Sequence, residues 1–426
     1  MSTFDKVIGY ESIKNELLQI CDMIRNRELY QSFGANLPHG ILLFGDPGLG
    51  KTLMARAFAE ECGIPCYTVR RNKNTGDFIR TIIDAFAAAK EDAPAIVFLD
   101  DMDKFANEDN SHRDAEEYVA IQAEIDEAKD CDVFVLATAN DLDKLPDSLI
   151  RSGRFDSKIE FCPPSGSDVT KIVTHYLSGK RVSADVNTED ISKMLQHFSC
   201  ADLESVLNAA AIRAAYARKD VIEMGDLVEA VLKTQYAAPD FSIRKTDEEI
   251  EMIALHEAGH LVMSEVLCPG SVGLASIRAT GRDPRGGFVS RCTENSNERH
   301  SILIALAGKA AAELYSSETY AAGCQSDIRR AYRWIRNGIS RNGALGLSLV
   351  DVETMESPGM SEPLNVASEA VVHAELERYL LKARDILMKN RGFLENARDA
   401  LIRKQTLLYS DIRALRDSAT ITKAAV

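Results

Sequence analysis

His256-Glu257-Ala258-Gly259-His260 sets two imidazoles four residues apart with a carboxylate between them. On an α-helix that spacing stacks both rings one turn apart on one face, where they can reach a single ion while Glu257 stands beside them. The chemistry is hydrolytic: zinc in such a set lowers the pKa of its water to roughly 7, and the neighbouring carboxylate can take the proton. A second set of residues suits phosphate chemistry. Gly45-Asp46-Pro47-Gly48-Leu49-Gly50-Lys51-Thr52 is a glycine-rich loop whose N–H groups can curl around phosphates. There Lys51 neutralises the outer oxygens and Thr52 offers a hydroxyl to magnesium. Ala95 to Leu99 is an apolar run ending in Asp100-Asp101, where Asp100 would hold magnesium through water and Asp101 would position the attacking water.

Each set needs particular elements to hold it. Thr246 with Glu249 forms a capping-box signature ahead of the histidine motif, Ile250, Ile253, Leu261 and Val262 flank it, and Pro269-Gly270 closes the helix. The glycine loop lies between a short apolar strand, Ile41 to Phe44, and a helical segment, Leu53 to Cys62. Further strands at Cys66 to Val69 and Val133 to Ala137 alternate with helical segments, which predicts an α/β module with a parallel sheet wrapped on both faces and ligands at the carboxyl ends of its strands. A helical lead-in runs from Phe4 to Leu37, and after Pro163-Pro164 the pattern becomes helical. The expected partition is a nucleotide-binding domain at 1–163, a small helical domain at 164–236, a linker at 237–247, a mainly helical domain at 248–415 and a disordered tail at 416–426. Within the fourth segment, Gly286 to Ser290 reads as a strand, and Ile302 to Leu314, Val366 to Leu387 and Phe393 to Leu408 read as helices. Gly323 to Asp327 opens another helix, with Ile328, Tyr332, Ile335 and Ile339 on one face.

The 426 residues suffice for two or three domains with sizeable cores. A formal charge of -15 argues against nucleic acid as the main partner. Nine cysteines without a CxxC pair, and no targeting helix at the start, place the expectation in the cytoplasm with reduced thiols. The most apolar run, Ile302 to Leu314, contains Lys309 and is too short to span a bilayer.

Taken together, these motifs resemble the FtsH-type AAA+ zinc metalloproteases over nearly the whole chain, in a soluble form without the family's two membrane-spanning helices. The resemblance implies an AAA+ ATPase module with a helical lid joined to a zinc peptidase, using zinc, ATP and magnesium to degrade polypeptides in a homo-hexameric ring. It puts Asn140 at the sensor position, Arg151 and Arg154 at the arginine-finger positions, and Ile8, Gly9 and His175 around the adenosine. Ala201 falls near the nucleotide, as do Asp46 to Leu53. Asp327 matches the third zinc ligand; with two imidazoles placed, an open three-ligand site needs one more donor. Gly286 to Ser290 would be an edge to which an extended substrate adds by backbone pairing. Two other functions share these motifs: a remodelling ATPase or chaperone using the peptidase module as a platform, and an ATP-gated peptidase that unfolds nothing.

The chain departs from the family pattern at several places. Its start, close to the ATPase module, implies either a soluble relative or recruitment by a membrane partner. Asp101 stands where Glu is usual, one methylene shorter, which predicts slow ATP turnover. The aromatic pore loop is replaced by Arg70, Arg71 and Lys73, which could grip an unfolded chain by charge alone and would favour acidic substrates. One of two consecutive carboxylates after Gly308-Lys309 is replaced by Ala312, and Glu313 remains.

Overall fold

The computed structural model describes residues 2–35, 38–71, 75–106, 115–151, 153–238, 246–281, 286–293, 297–315, 324–340 and 362–423. They fall into two compact units.

The first unit comprises Met1–Gly179 with His197–Ser205. In chain order it contains α1 (Glu11–Arg25), α2 (Arg27–Ser32), β1 (Gly40–Gly45), α3 (Lys51–Cys62), β2 (Cys66–Val69), α4 (Thr75–Glu91), β3 (Ala95–Leu99), α5 (Ala115–Ala128), β4 (Val133–Ala139), α6 (Asp147–Ile150), β5 (Ser157–Phe161) and α7 (Ser167–Ser178). The strands form one sheet in the order β2-β3-β4-β1-β5, all parallel. Successive side chains of a strand point to opposite faces, and here both faces are apolar. Leu42, Val97 and Leu99 enter one core and Ile41, Leu43, Ile96 and Phe98 the other. Continuous apolar runs are what a sheet covered on both sides requires. The register pairs Phe44 with Ala139 and Leu99 with Ala137, so Gly45, Asp100 and Asn140 come together at the carboxyl ends of their strands.

The second unit comprises Lys180–Gln196 and Val206–Val426. Its elements are α8 (Thr188–Met194), most of α9 (Cys200–Tyr216), α10 (Met224–Gln235), α11 (Asp247–Leu267), β6 (Val272–Ser276), β7 (Phe288–Arg291), α12 (Glu298–Tyr315), α13 (Cys324–Ser340), α14 (Glu362–Lys389), α15 (Arg391–Lys404), β8 (Thr406–Leu408) and α16 (Tyr409–Ser418). Compactness therefore divides the chain differently from the expected boundaries, because α7 groups with the sheet while α8 and α10 group with the helical region. Most of the expected linker lies outside the described residues.

The motif helix α11 is the axis of this unit. Ile253, Ala254, Leu255, Ala258, Leu261, Val262 and Met263 are all buried, in a core shared with α12, α14 and α15. Its start is fixed by the capping box, in which the Glu249 N–H donates to Thr246 Oγ1 at 3.2 Å and the Thr246 N–H donates to Glu249 Oε2 at 2.8 Å. Thr246→Ala should lower stability by about 1 kcal/mol, measured by denaturant unfolding, because one of two reciprocal bonds at orphan helix donors is lost. Glycines let α12 cross closely. A Cβ on Gly259 would stand 2.5 Å from the Ala307 carbonyl oxygen and 2.7 Å from Ala311 Cβ.

Three expectations for this unit are corrected. Phe393 to Leu408 is not one helix: Gln405 takes a left-handed conformation (φ 60°) and the chain turns into β8, which pairs with β6 in a sheet of order β7-β6-β8. The buried face of α13 carries Cys324, Asp327, Ala331 and Ile335, whereas Ile328 is exposed. The tail expected to be disordered from residue 416 continues as helix to Ser418, and the Thr422 N–H donates to the buried Asn390 Oδ1 at 2.9 Å. Among the described residues, no helix is long and apolar enough to cross a membrane.

Candidate metal and nucleotide sites

His256 and His260 project from one face of α11, and Asp327 reaches them from the first turn of α13. The two Nε2 atoms are 3.0 Å apart, and Asp327 Oδ2 lies 3.2 Å from His256 Nε2 and 3.1 Å from His260 Nε2. A tetrahedral zinc ion with bonds of roughly 2.0–2.1 Å keeps its donors roughly 3.3 Å apart, so three such atoms form one face of a zinc site. Partners behind the donors fix their directions. His260 Nδ1–H donates to the Ile304 carbonyl oxygen at 2.7 Å, which leaves Nε2 as the free donor, and Arg330 Nη2 donates to Asp327 Oδ1 at 2.8 Å. Gly308 of α12 closes the back of the site, where a Cβ would stand 2.5 Å from His256 Cε1 and Nε2 and 2.6 Å from His260 Nε2.

The electrostatics favour positive charge at the centre of these donors. Burial works against a protonated His256, but the hydrogen bond with Asp327, Cys324 beside the ring and the Glu257 and Asp327 charges outweigh it and hold its pKa at about 10. Burial would likewise raise Asp327, yet the two imidazoles hold it well below the usual carboxylate range. Two imidazoles and a carboxylate that trap a proton between them suit a borderline-soft divalent cation such as zinc. Glu257 stands next to them and is 4% exposed; its burial pushes the carboxyl pKa up. Gly287, just before β7, packs against it so closely that a Cβ would lie 2.8 Å from Glu257 Cγ. These groups line a cavity of about 260 Å³ that β7 walls on one side.

In the first unit, the glycine loop joins β1 to α3. Gly48 and Gly50 have φ of 80° and 90°, a region costly for side-chain-bearing residues. Asp46, Pro47 and Gly48 are exposed, whereas Leu49 is buried and Leu53 is half-exposed on α3. Lys51 Nζ donates to the carbonyls of Gly45 and Asp46 at 2.7 Å each and to Asn140 Oδ1 at 2.9 Å, and burial lowers its pKa. Thr52 and Thr138 both donate to Asp100 Oδ1, at 2.9 and 3.0 Å. Asp100 Oδ2 is buried without a hydrogen-bond partner. A buried carboxylate oxygen left unsatisfied beside a threonine hydroxyl fits a hard cation such as magnesium. Asp101 follows in a left-handed conformation (φ 57°), with its Oδ2 accepting from Lys104 Nζ at 2.6 Å.

The resemblance-based residues divide into those brought together and those kept apart. The Ala201 N–H donates to the Gly48 carbonyl oxygen at 3.0 Å, so Ala201 does meet the loop. Gly9 (φ 78°) lies against Asp168 at the start of α7, where the Tyr10 N–H donates to Asp168 Oδ2 at 3.1 Å, and Ile8 is half-buried beside it. His175 is exposed in the last turn of α7. Arg151 is exposed as well, but Arg154 is not the outward-reaching finger expected. It is 2% exposed and locked to its own chain, with Nη2 2.5 Å from Asp126 Oδ2, Nε 3.0 Å from Oδ1, and a further bond to the Ser148 carbonyl. Arg154 holds the Asp126 carboxyl well below its usual range. Asp126→Ala should cost about 3 kcal/mol in denaturant unfolding, the low end for a broken buried pair because Asp126 is partly exposed. In the basic loop the arginines have acidic neighbours. Arg71 pairs with the buried Glu117 at 3.4 Å, whereas Arg70 remains exposed with its Nη2 3.7 Å from Asp101 Oδ2; Lys73 lies outside the described residues. Glu313 pairs with Lys309 on its own helix at 2.6 Å.

Residues 41–163 match the ATPase family associated with various cellular activities (AAA), and residues 243–415 match peptidase family M41. The chain is 31% identical to the ATP-dependent zinc metalloprotease FtsH 2 of Symbiobacterium thermophilum over 97% of its own length and 74% of that relative's. It belongs to the FtsH family. Similarity extends to the ATP-dependent zinc metalloproteases FtsH of Leptotrichia buccalis, at 31% identity over 97% of this chain and 56% of the relative, and of Synechococcus sp., at 28% over 98% and 70%. The chain thus spans from little over half to about three-quarters of the length of these FtsH relatives. An AAA ATPase module followed by an M41 zinc peptidase module, with zinc, ATP and magnesium as the implied cofactors, is the FtsH arrangement found here.

Several supporting residues carry no motif. Thr138 donates to Asp100 and the Ile304 carbonyl orients His260, yet neither type nor spacing marks them. Gly308 had a signal, since a lone glycine inside an apolar helix is costly unless something packs against its Cα.

Proposed function

We propose that this chain is an ATP-dependent zinc endopeptidase that acts on polypeptides in a ring of six copies. The observation that carries the reading is the meeting of His256, His260 and Asp327 within 3.2 Å, although Asp327 stands on a different helix. When bound there, zinc would supply Lewis acidity toward water and the scissile carbonyl. His256, His260 and Asp327 hold it; Glu257 takes the proton from the attacking water and returns it to the leaving amine. The edge of β7, which has no strand partner among the described residues, aligns the extended substrate beside Glu257. In the ATPase module the loop N–H groups and Lys51 hold the phosphates, Thr52 and Asp100 hold magnesium, Asp101 orients water and Asn140 reads the outer phosphate. Ile8, Gly9, His175 and Ala201 surround the nucleoside. Arg151 reaches the nucleotide of the neighbouring copy and stabilises charge on the transferring group, so a lone copy hydrolyses slowly.

Degradation of an unfolded casein-type substrate by purified protein tests both modules together. Cleavage should require ATP, fail with a nonhydrolysable analogue and stop on chelation, returning with zinc. Equal cleavage with and without hydrolysis would reduce the chain to a gated peptidase, and none under any condition would leave only the remodelling function. Asp101→Glu should raise ATP turnover severalfold by bringing the carboxylate one methylene nearer the water. An unchanged steady-state rate would remove that account of slow turnover.

A further inference from the structure

The peptidase cavity holds a cation that the hydrolytic chemistry does not use. Arg291 ends β7 and lines the same cavity as His256, Glu257 and His260. Its Nε and Nη2 are buried and have no hydrogen-bond partner, and no carboxylate pairs with it among the described residues. Three other arginines of this unit, by contrast, have carboxylate partners: Arg278 with Glu229 at 2.6 Å, Arg416 with Glu265 at 3.1 Å and Arg330 with Asp327 at 2.8 Å. An unmatched guanidinium at a cavity wall is expensive unless an anion arrives, because its donors have left water without replacement.

A second orphan faces the same space. Ser264 lies four residues after His260 and eight after His256, on the same face of α11, and its Oγ is buried without a partner. The apolar lining between these groups comes from Val289, Ile304, Ala305 and Ala312. A fixed fork of donors and one hydroxyl, set in an apolar cavity next to the hydrolytic residues, is the complement of a carboxylate on a short stem.

Building on the endopeptidase reading, we propose that Arg291, assisted by Ser264, makes the cavity select substrates with an Asp or Glu side chain flanking the scissile bond. The position of Arg291 on the edge strand fits this role. A substrate laid along β7 presents alternate side chains toward the cavity wall, so an acidic residue in register meets the guanidinium while the backbone pairs with the strand. A free chain-terminal carboxylate has the same chemistry, and the experiment separates the two.

The test uses full-length, zinc-loaded protein and quenched fluorescent peptides that are identical except for Glu, Gln or Leu at each position flanking the cleaved bond, plus one with a free terminal carboxylate there. For wild type, kcat/KM for the Glu peptide should exceed that for the Gln peptide at least tenfold and fall with added salt. Arg291→Gln should bring the ratio below threefold while Leu-peptide cleavage stays near wild type, and Arg291→Lys should keep part of it. A Glu-to-Gln ratio near one in wild type overturns the proposal, and preference for the free terminus alone reassigns the site to chain ends. Should Arg291→Gln fail to fold, the wild-type ratio and its salt dependence decide. If wild type cleaves no peptide, the endopeptidase reading fails separately, and affinities of the same peptides for Glu257→Gln protein, read by fluorescence anisotropy, still decide the pocket. Tighter binding of Glu than Gln peptides, lost when Arg291→Gln is added, supports it; equal affinities overturn it.

Discussion

Gly308→Ala should empty the metal site before it unfolds the domain. The added methyl would stand 2.5 Å from the His256 ring and 2.6 Å from His260 Nε2, well inside any contact a real Cβ makes. The helices cannot simply move apart to accommodate it. Gly259 brings α11 against Ala307 and Ala311 one face away, and the surrounding core is fully buried, so a shift of α12 would open voids around Leu303, Leu306 and Ala310. Swinging the imidazoles off the donor triangle is the cheaper response. Losing a partner behind a ligand typically costs 10–100-fold in metal affinity, and displacing two ligands should cost at least about 100-fold. Competition with a chromogenic chelator reads the affinity, and circular dichroism reads the fold. Wild-type zinc affinity in a folded Gly308→Ala protein would mean that α12 does not close the site as described.

The second large effect is separation of the two activities by Glu257→Gln. The amide has nearly the same shape, so packing against Gly287 and the three donors is preserved, but it cannot accept a proton. Proteolysis should fall by about 10³-fold, within the range for loss of a positioned acid–base group. ATP turnover should be unaffected, because Glu257 belongs to the second unit and Lys51, Thr52, Asp100 and Asn140 to the first. Zinc content should stay at one per chain. Residual cleavage above a tenth of wild type would transfer the proton-accepting role to another group.

Both effects depend on parts of the site that were unequally legible in the sequence. The histidine pair and its cap were open to inspection because helix geometry alone decides which residues meet four apart, and the strand runs of the sheet because burial on both faces leaves no polar positions. Asp327 was different. A carboxylate in a first helical turn is ordinary, and only the resemblance singled it out from others of its kind. Arg151 and Arg154 show the limit of such transfer: they stand three apart in one motif, yet one faces solvent and the other is buried against Asp126, a partner on α5 that no spacing rule connects to it. β8 was missed for a local reason. Glutamine at a left-handed position is uncommon, so nothing before Thr406 signals that the helix ends, and the strand exists because β6 offers it an edge. Gly308 and Gly287 were visible as letters but not as constraints, since what they avoid is on another element.

β7 is four residues long and, among the described residues, has a neighbour on one side only. Alternate residues of a strand turn their N–H and C=O to the same side, so about two residues are available to an extended visitor. At about 1 kcal/mol net per hydrogen bond, and with ordering still to subtract, that interface holds a short peptide no better than the millimolar range. Residence on the strand is therefore brief, and throughput depends on how often fresh chain is presented. A polypeptide retained elsewhere on the same particle would return at an effective concentration of about millimolar. Tethering would then decide which molecules are cut to completion, and long captured chains would outcompete abundant free fragments.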